Sequence, residues 1–203
     1  MERLTEHNTN TAAEYNRIFH DRKKAGIHWN DARRWKRLLK FYRGGTLLDI
    51  GTLDSFVPIY AKAKHPESEI VAVDIADEAV QAMAHQYPDI DYRVEDLYHL
   101  SFPDGHFSYV VLGEVLEHLE QPKDAIAEAA RVTGKGYLAI STPLSEHRER
   151  GAVDGDHHLW SFAMQDIITM LKSYGRVSTA LLGSRYFPSY KYAWPTIIAY
   201  CKR

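Results

Sequence analysis

From Thr46 onward, short continuous apolar runs alternate with segments whose apolar residues recur at helical spacing. The runs are 46–50, 69–74, 90–95, 107–113, 137–142, 176–182 and about 193–200, each predicted as a strand. Between them, 55–64, 76–86, 123–132 and 163–173 read as helices. Continuous apolar strands, as opposed to alternating ones, are buried on both faces. That pattern predicts a mainly parallel sheet covered by helices on both sides, an α/β fold. No helix separates the last two strands, so they are expected to form an antiparallel hairpin at the sheet edge. A long polar stretch, Pro143 to about Leu159, carries Gly151 and Gly155 and is expected to act as a lid.

The first 45 residues differ. Thr11 to Lys24 is helical in pattern and is broken by Gly26; a second helix opens at Asn30 or Asp31 and is expected to reach Arg43 before Gly44-Gly45. Trp35, Leu38, Leu39 and Tyr42 fall on one stripe that would pack on the body. The chain therefore divides into an N-terminal helical extension, 1–45, and a main domain, 46–203. The extension carries a net +6 and the remainder −8. A solvated helix face accounts for the basic arm, and the whole chain is not basic enough for a dedicated nucleic-acid binder. Cys201 is the sole cysteine, so no internal disulfide can form, and it reads as a small buried hydrophobe in the last strand. No apolar run approaches the ~20 residues that span a bilayer, and residues 1–10 carry no apolar leader core. A cytoplasmic location is expected.

Ligands of an open parallel sheet bind at the carboxyl ends of its strands, near the reversal of strand order. The first strand runs into Asp49-Ile-Gly51-Thr-Leu53-Asp-Ser55, where Gly51 permits a tight turn and close approach of a ligand. The second ends at Asp74, 25 residues after Asp49. A carboxylate there can accept both hydroxyl protons of a ribose, although Asp at a strand end also serves simply as a helix cap. Asp96-Leu97 follows the third strand and offers a carboxylate and a backbone N–H to an adenine. "FPDGHFSYVVLGEVLEHLEQP" surrounds the fourth, and "RVTGKGYLAISTP" the fifth.

In this order, from Leu47 to Pro143, these segments resemble the core of class I S-adenosylmethionine (SAM)-dependent methyltransferases. The resemblance covers roughly half of the chain, and the joint occurrence is more specific than any single motif. It implies a Rossmann-like, seven-stranded, mostly parallel sheet with an antiparallel last strand. It also implies SAM as cofactor, with Asp49 and Gly51 framing the methionine portion, Asp74 holding the ribose and Asp96 with Leu97 the adenine. The family turn usually reads Asp-x-Gly-x-Gly-x-Gly, and here Leu53 and Ser55 replace the second and third glycines. SAM lacks the pyrophosphate that makes such glycines necessary in dinucleotide enzymes, so the loss tells more against NAD than against SAM.

After strand four stand Glu114, Glu117 and His118. A helical segment would put positions i, i+3 and i+4 on one face, and two carboxylates with an imidazole suit a divalent ion. Glu-x-x-Glu-His resembles metal-assisted O-methyltransferases, including enzymes of ubiquinone synthesis and of small-RNA ends. That resemblance implies a metal set of Glu114, Glu117, His118 and one of His157 and His158. The same segment also occurs where no metal is known, with His118 as general base or as a structural residue. His157 and His158 equally suit a turn, and Trp160 and Phe162 suit core packing better than an acceptor pocket. The expected activity is methyl transfer, chiefly to oxygen, with His118 and Glu114 as catalytic groups. Small-molecule, sugar, lipid and RNA-end acceptors all remain open. A non-catalytic SAM- or nucleoside-binding partner protein is the alternative, and a NAD-dependent oxidoreductase comes third.

Overall fold

The computed structural model describes residues 1–5, 8–25, 29–53, 55–144, 158–183 and 195–203, with backbone alone at 22–25 and 29–32. The lid expected over 143–159 lies mostly outside these residues, and His157, a candidate metal ligand, lies wholly outside them. Strands β2 (Thr46–Ile50), β3 (Glu69–Asp74), β4 (Asp91–Val94), β5 (Phe107–Gly113), β6 (Thr133–Pro143), β8 (Arg176–Leu182) and β9 (Thr196–Lys202) form one sheet in the order β4-β3-β2-β5-β6-β9-β8. The chain starts at the centre with β2, moves outward through β3 and β4, then returns to the other side of β2 as β5. All pairings from β4 to β6 are parallel. The last strand, β9, is antiparallel to both its neighbours and lies between β6 and β8. The expected hairpin thus inserts its second strand into the sheet, and β8 alone forms the edge. A separate pair, β1 (Glu2–Arg3) with β7 (Trp160–Ser161), was not expected.

Both faces are covered, as continuous apolar strands require. On one, α5 (Pro122–Val132) and α6 (Met164–Leu171) set Ile126, Ala129, Ile167 and Leu171 against Leu48, Val110, Leu138 and Ile197. Phe162 is fully buried there, and Cys201, also fully buried, sits in β9 between β6 and β8. On the other, α2 (Trp29–Leu38), α3 (Val57–Lys64) and α4 (Asp77–Gln86) set Leu38, Val57, Ala61, Val80 and Met83 against Leu47, Ala72, Val111 and Ala139. The first helix, α1 (Ala12–Ala25), adds Phe19 to this cluster.

The second helix stops at Leu38, not Arg43, because its end is fixed to the sheet. The Tyr109 hydroxyl donates to the Leu38 carbonyl at 2.6 Å, and the Tyr200 hydroxyl to the Arg37 carbonyl. These are carbonyls that a helix end leaves without partners of its own. The stripe still packs through Leu38, Leu39 and Tyr42, while Trp35 stacks on Phe56 at 4.9 Å between ring centres. Strand β6 begins at Thr133, four residues before the expected start. Its two early glycines allow close backbone approach: a Cβ on Gly136 would lie 1.8 Å from the Ser108 carbonyl oxygen. Gly136→Ala is therefore expected to cost ~3 kcal/mol or more, at the upper end of overpacking effects, read as a lower urea midpoint.

Candidate active site

Strand order reverses between β2 and β5, and a crevice opens there at the carboxyl ends. The Gly51 and Thr52 N–H groups both donate to the Val73 carbonyl, at 2.9 and 3.1 Å. Gly51 has φ +73°, and a Cβ would come within 2.4 Å of Val115 Cγ2, so both conformation and space demand glycine. Two residues later Leu53 takes φ +36° with a buried side chain, where the family has glycine. A left-handed non-glycine residue costs roughly 1–2 kcal/mol. The turn keeps its shape because the Leu53 N–H donates to Asp74 Oδ2 at 2.8 Å. Ser55 replaces the last glycine, and its hydroxyl accepts the Val57 N–H at the start of α3.

Asp74 also accepts the Ala76 N–H on Oδ1 at 2.9 Å, so it joins the two βα turns and starts α4. Asp49 is 2 % exposed, and its Oδ2 has no hydrogen-bond partner among the described residues. Burial pushes its carboxyl up to about 7; the neighbouring Thr52 and Ser55 hydroxyls offset part of that rise. The Thr52 hydroxyl, the Tyr92 hydroxyl and the Ser141 hydroxyl are likewise buried without a partner. Tyr92 pairs with Ala72, and Ala72 with Asp49, on the helix-α2 side of the sheet. Tyr92, buried on the short β4, was not singled out in the sequence, and nothing there linked it to Asp49. Asp96 lies further out, accepting the Tyr98 N–H at 2.9 Å beside half-buried Leu97. A cavity of about 300 Å³ lined by Tyr98, His99, Glu120, Gln121 and Asp124 adjoins it.

Beyond β5 the chain does not turn as an α-helix. Glu114 has φ +58°, its N–H donates to the Ser141 carbonyl at 2.9 Å, and one 3-10 turn follows at Leu116–His118. This separates the residues expected on one helical face. Glu114 points to Arg34 of α2, with Oε2 3.7 Å from Nη1. Glu117, His118 and His158 instead come together, with one ligand atom from each within 4.8 Å of the others. Glu117 is 1 % exposed; its Oε2 accepts the Thr142 hydroxyl at 2.9 Å, and its Oε1 has no hydrogen-bond partner among the described residues but lies 4.0 Å from His118 Nε2. Burial, with the Glu114 charge beside it, raises the Glu117 carboxyl well above the usual carboxylate range. The His118 ring lies edge-on to His158 at 4.8 Å and to Tyr15 at 6.1 Å. Its carbonyl accepts Asn10 Nδ2 at 3.0 Å, and Asn10 Oδ1 accepts the Tyr15 hydroxyl at 2.9 Å. Trp160 is partly buried and donates from Nε1 to the Leu119 carbonyl. Sequence reasoning missed Arg34, Asn10 and Tyr15, since each looks like an ordinary polar residue of a helical arm.

Buried carboxylates at the strand-order reversal, on a sheet with one inserted antiparallel strand, define a class of α/β domain. Residues 48–140 match the family model described as "Methyltransferase domain". A demethylmenaquinone methyltransferase of Renibacterium salmoninarum is 34% identical over 125 residues, which cover 59% of this chain and 51% of that protein. The Mycobacterium tuberculosis protein named "Probable S-adenosylmethionine-dependent methyltransferase Rv3030" is 29% identical over 118 residues, 57% of this chain and 43% of its own. The chain thus spans about half the length of these relatives. The methyltransferase solved in complex with the Haloferax volcanii Trm112 activator superposes with a TM-score of 0.73 at 16% identity, over 93% of this chain and 97% of that one, a likeness of fold. Over residues 48–140 the chain resembles the methyltransferase domain, and these relatives carry the names of methyltransferases. No helix among the described residues is long and apolar enough to cross a membrane.

Proposed function

We propose that this protein transfers the methyl group of SAM to an oxygen of a small hydroxylated acceptor. The observation that carries the reading is the grouping, near the strand-order reversal, of buried polar atoms of Asp49, Thr52, Ser141 and Glu117 that have no hydrogen-bond partner among the described residues. Buried polar groups without partners are rare in folded proteins, and a ligand is the economical explanation of several together. When bound, SAM supplies an activated methyl on a sulfonium. Asp74 holds the ribose hydroxyls while it keeps the two turns closed. Asp49 and Gly51 frame the methionine end, and Asp96 with Leu97 meets the adenine. His118, 19 % exposed at the mouth, takes the acceptor proton. Glu117, held by the Thr142 hydroxyl, lies with its Oε1 4.0 Å from His118 Nε2 and helps to position the imidazole.

A second reading rests on the grouping of Glu117, His118 and His158. One carboxylate and two imidazoles suit a divalent ion of the Zn, Fe or Mn type. Glu117 Oε1 accepts no hydrogen bond among the described residues, and its carboxyl is raised by burial, which fits a cation placed beside it. Such an ion would lower the pKa of an acceptor hydroxyl. In this reading Glu114 stays outside the ligand set. The non-catalytic alternative draws on the buried Leu53 in the cofactor turn.

Calorimetry with S-adenosylhomocysteine and with NAD tests the assignment. S-adenosylhomocysteine should bind and NAD should not; the reverse order would sink the reading. Asp74→Ala should weaken S-adenosylhomocysteine by ~1–3 kcal/mol, the scale of charge-assisted hydrogen bonds. It should also lower stability, because the Leu53 and Ala76 N–H groups lose their acceptor. Asp74→Asn, which retains one acceptor oxygen, separates the two effects. Release of S-adenosylhomocysteine from SAM in the presence of hydroxylated acceptors then separates an enzyme from a binding protein.

A further inference from the structure

The outward face of α2 carries one sign of charge. Arg33, Lys36, Arg37 and Lys40 recur at i, i+3, i+4 and i+7, and all four are exposed. The helical turn carries on past Leu38, with the Lys40 N–H on the Arg37 carbonyl at 3.0 Å, so Lys40 stays on that face. Neither 33–43 nor 56–66 contains an Asp or Glu. Among the described residues none of the four cations forms an ion pair. An ordinary soluble surface intersperses both signs, whereas a single-sign field steers a partner of opposite charge.

Beside this face an apolar groove runs between α2 and α3. It holds about 260 Å³ and is lined by Trp35, Lys36, Phe56, Ile59, Tyr60 and Ala63. Val57 and Ala61 of α3 turn the other way, into the core. Trp35 stacks on Phe56, and Lys64 lies over Tyr60 with its Nζ 5.7 Å from the ring centre. Lys36 belongs to both features, the groove wall and the cationic face.

Charge, size and ring geometry together select the occupant. The groove is smaller than one turn of a helix about 10 Å across, so no helical peptide seats in it. Nucleic acid needs open ring faces on which to stack its bases, and these rings spend theirs on one another and on a lysine. An alkyl chain needs no polar partner along the groove, and a phosphate at its end meets the cations of the rim. Trp and Tyr, apolar with one polar edge, suit the level of lipid head groups. The net +6 of residues 1–45 against −8 for the remainder turns α2 toward an anionic surface and the rest away from it. We propose that this face docks on an anionic phospholipid bilayer, with α2 against the head groups and one acyl chain in the α2–α3 groove. The proposal does not rest on the methyltransferase reading.

Co-sedimentation of the full chain with vesicles tests it, using phosphatidylcholine alone and phosphatidylcholine with phosphatidylglycerol in equal parts. The protein should pellet with the mixed vesicles and stay in solution with the neutral ones. Lys36→Ala combined with Lys40→Ala should weaken binding ~10–30-fold, from about fivefold for each cation near an anionic surface. High salt should weaken the wild type and leave a remainder held by the groove. Ile59→Ser should remove that remainder and keep most of the low-salt binding. An unchanged urea midpoint shows that each variant is folded; if Ile59→Ser shifts it, Ala63→Asp, at an exposed position, takes its place. Equal binding to neutral and mixed vesicles, or binding to neither, overturns the proposal. So does binding that salt removes entirely and that a single-stranded RNA oligonucleotide matches, with the same loss in the double variant, for the face would then take polyanions in general.

Discussion

Asp49→Asn is expected to make the ligand-free protein more stable at pH 8, by ~2–4 kcal/mol, and to have little effect near pH 4. An unfolded Asp ionises near ~3.9, whereas burial pushes this one up to about 7 in the folded chain. A raised carboxyl favours folding most below the unfolded value, and that contribution is lost as pH rises through the folded one. Three units at ~1.4 kcal/mol each set an upper limit near ~4 kcal/mol for what ionisation costs at pH 8. Asparagine has no such cost, and the Thr52 and Tyr92 hydroxyls are available to its amide. Urea unfolding at pH 4 and pH 8 checks this. An Asn variant weakened equally at both would show that Asp49 is paired and ionised throughout. A cationic ligand should reverse the balance. Binding of SAM near pH 6.5 should release a proton from Asp49, so wild-type affinity should rise between pH 6 and 8, and the Asn variant should lose that slope.

His118→Ala should reduce turnover by ~10²–10⁴-fold, the usual worth of a positioned base, while S-adenosylhomocysteine binds within about threefold of wild type. In the proposed site the cofactor contacts come chiefly from the ends of β2, β3 and β4, so the loss of the imidazole should leave them in place. Glu117→Ala distinguishes how the histidine acts. With a divalent ion at Glu117, His118 and His158, wild-type turnover should fall on chelation and return with added metal, and Glu117→Ala should abolish both response and rate. With His118 as a lone base, chelation should change nothing, and Glu117→Ala should cost less than His118→Ala. Full activity in both variants would leave these residues as packing for the Leu116–His118 turn and nothing more.

The sheet was legible in sequence because parallel strands are written as unbroken apolar runs. Five of its seven strands can be read within a residue or so of their ends from that signal alone. The losses have local causes. Strand β6 begins at Thr133, but Gly134 and Gly136 look like loop until a neighbouring backbone is known to press on them: their absent Cβ atoms would meet the carbonyls of Gly105 and Ser108. Pairing of Glu2–Arg3 with Trp160–Ser161 involves two residues a side, too few for any period. The carboxylates at strand ends were legible by position, since topology alone puts Asp49 and Asp74 at the crevice. Glu114 was misplaced because spacing along a helix was assumed where the backbone takes φ +58° and a tight turn. Arg34 had no signal at all. On an amphipathic helix a basic residue looks solvated until tertiary packing shows that one turn of the face overhangs an acidic crevice.

Cys201 gives this protein a built-in clock. It is the sole thiol, fully buried in β9, with its sulfur facing the Leu171 carbonyl at 3.6 Å between strands β6 and β8. Burial also raises its pKa, which keeps it unreactive while the fold is closed. A thiol reagent in solution can therefore reach it only when α6 lifts or the β8–β9 end of the sheet opens. The labelling rate in native buffer becomes a direct count of those openings, without any engineered probe. Read with and without cofactor, it reports how far a ligand held at the β2 and β5 ends tightens a strand three places away.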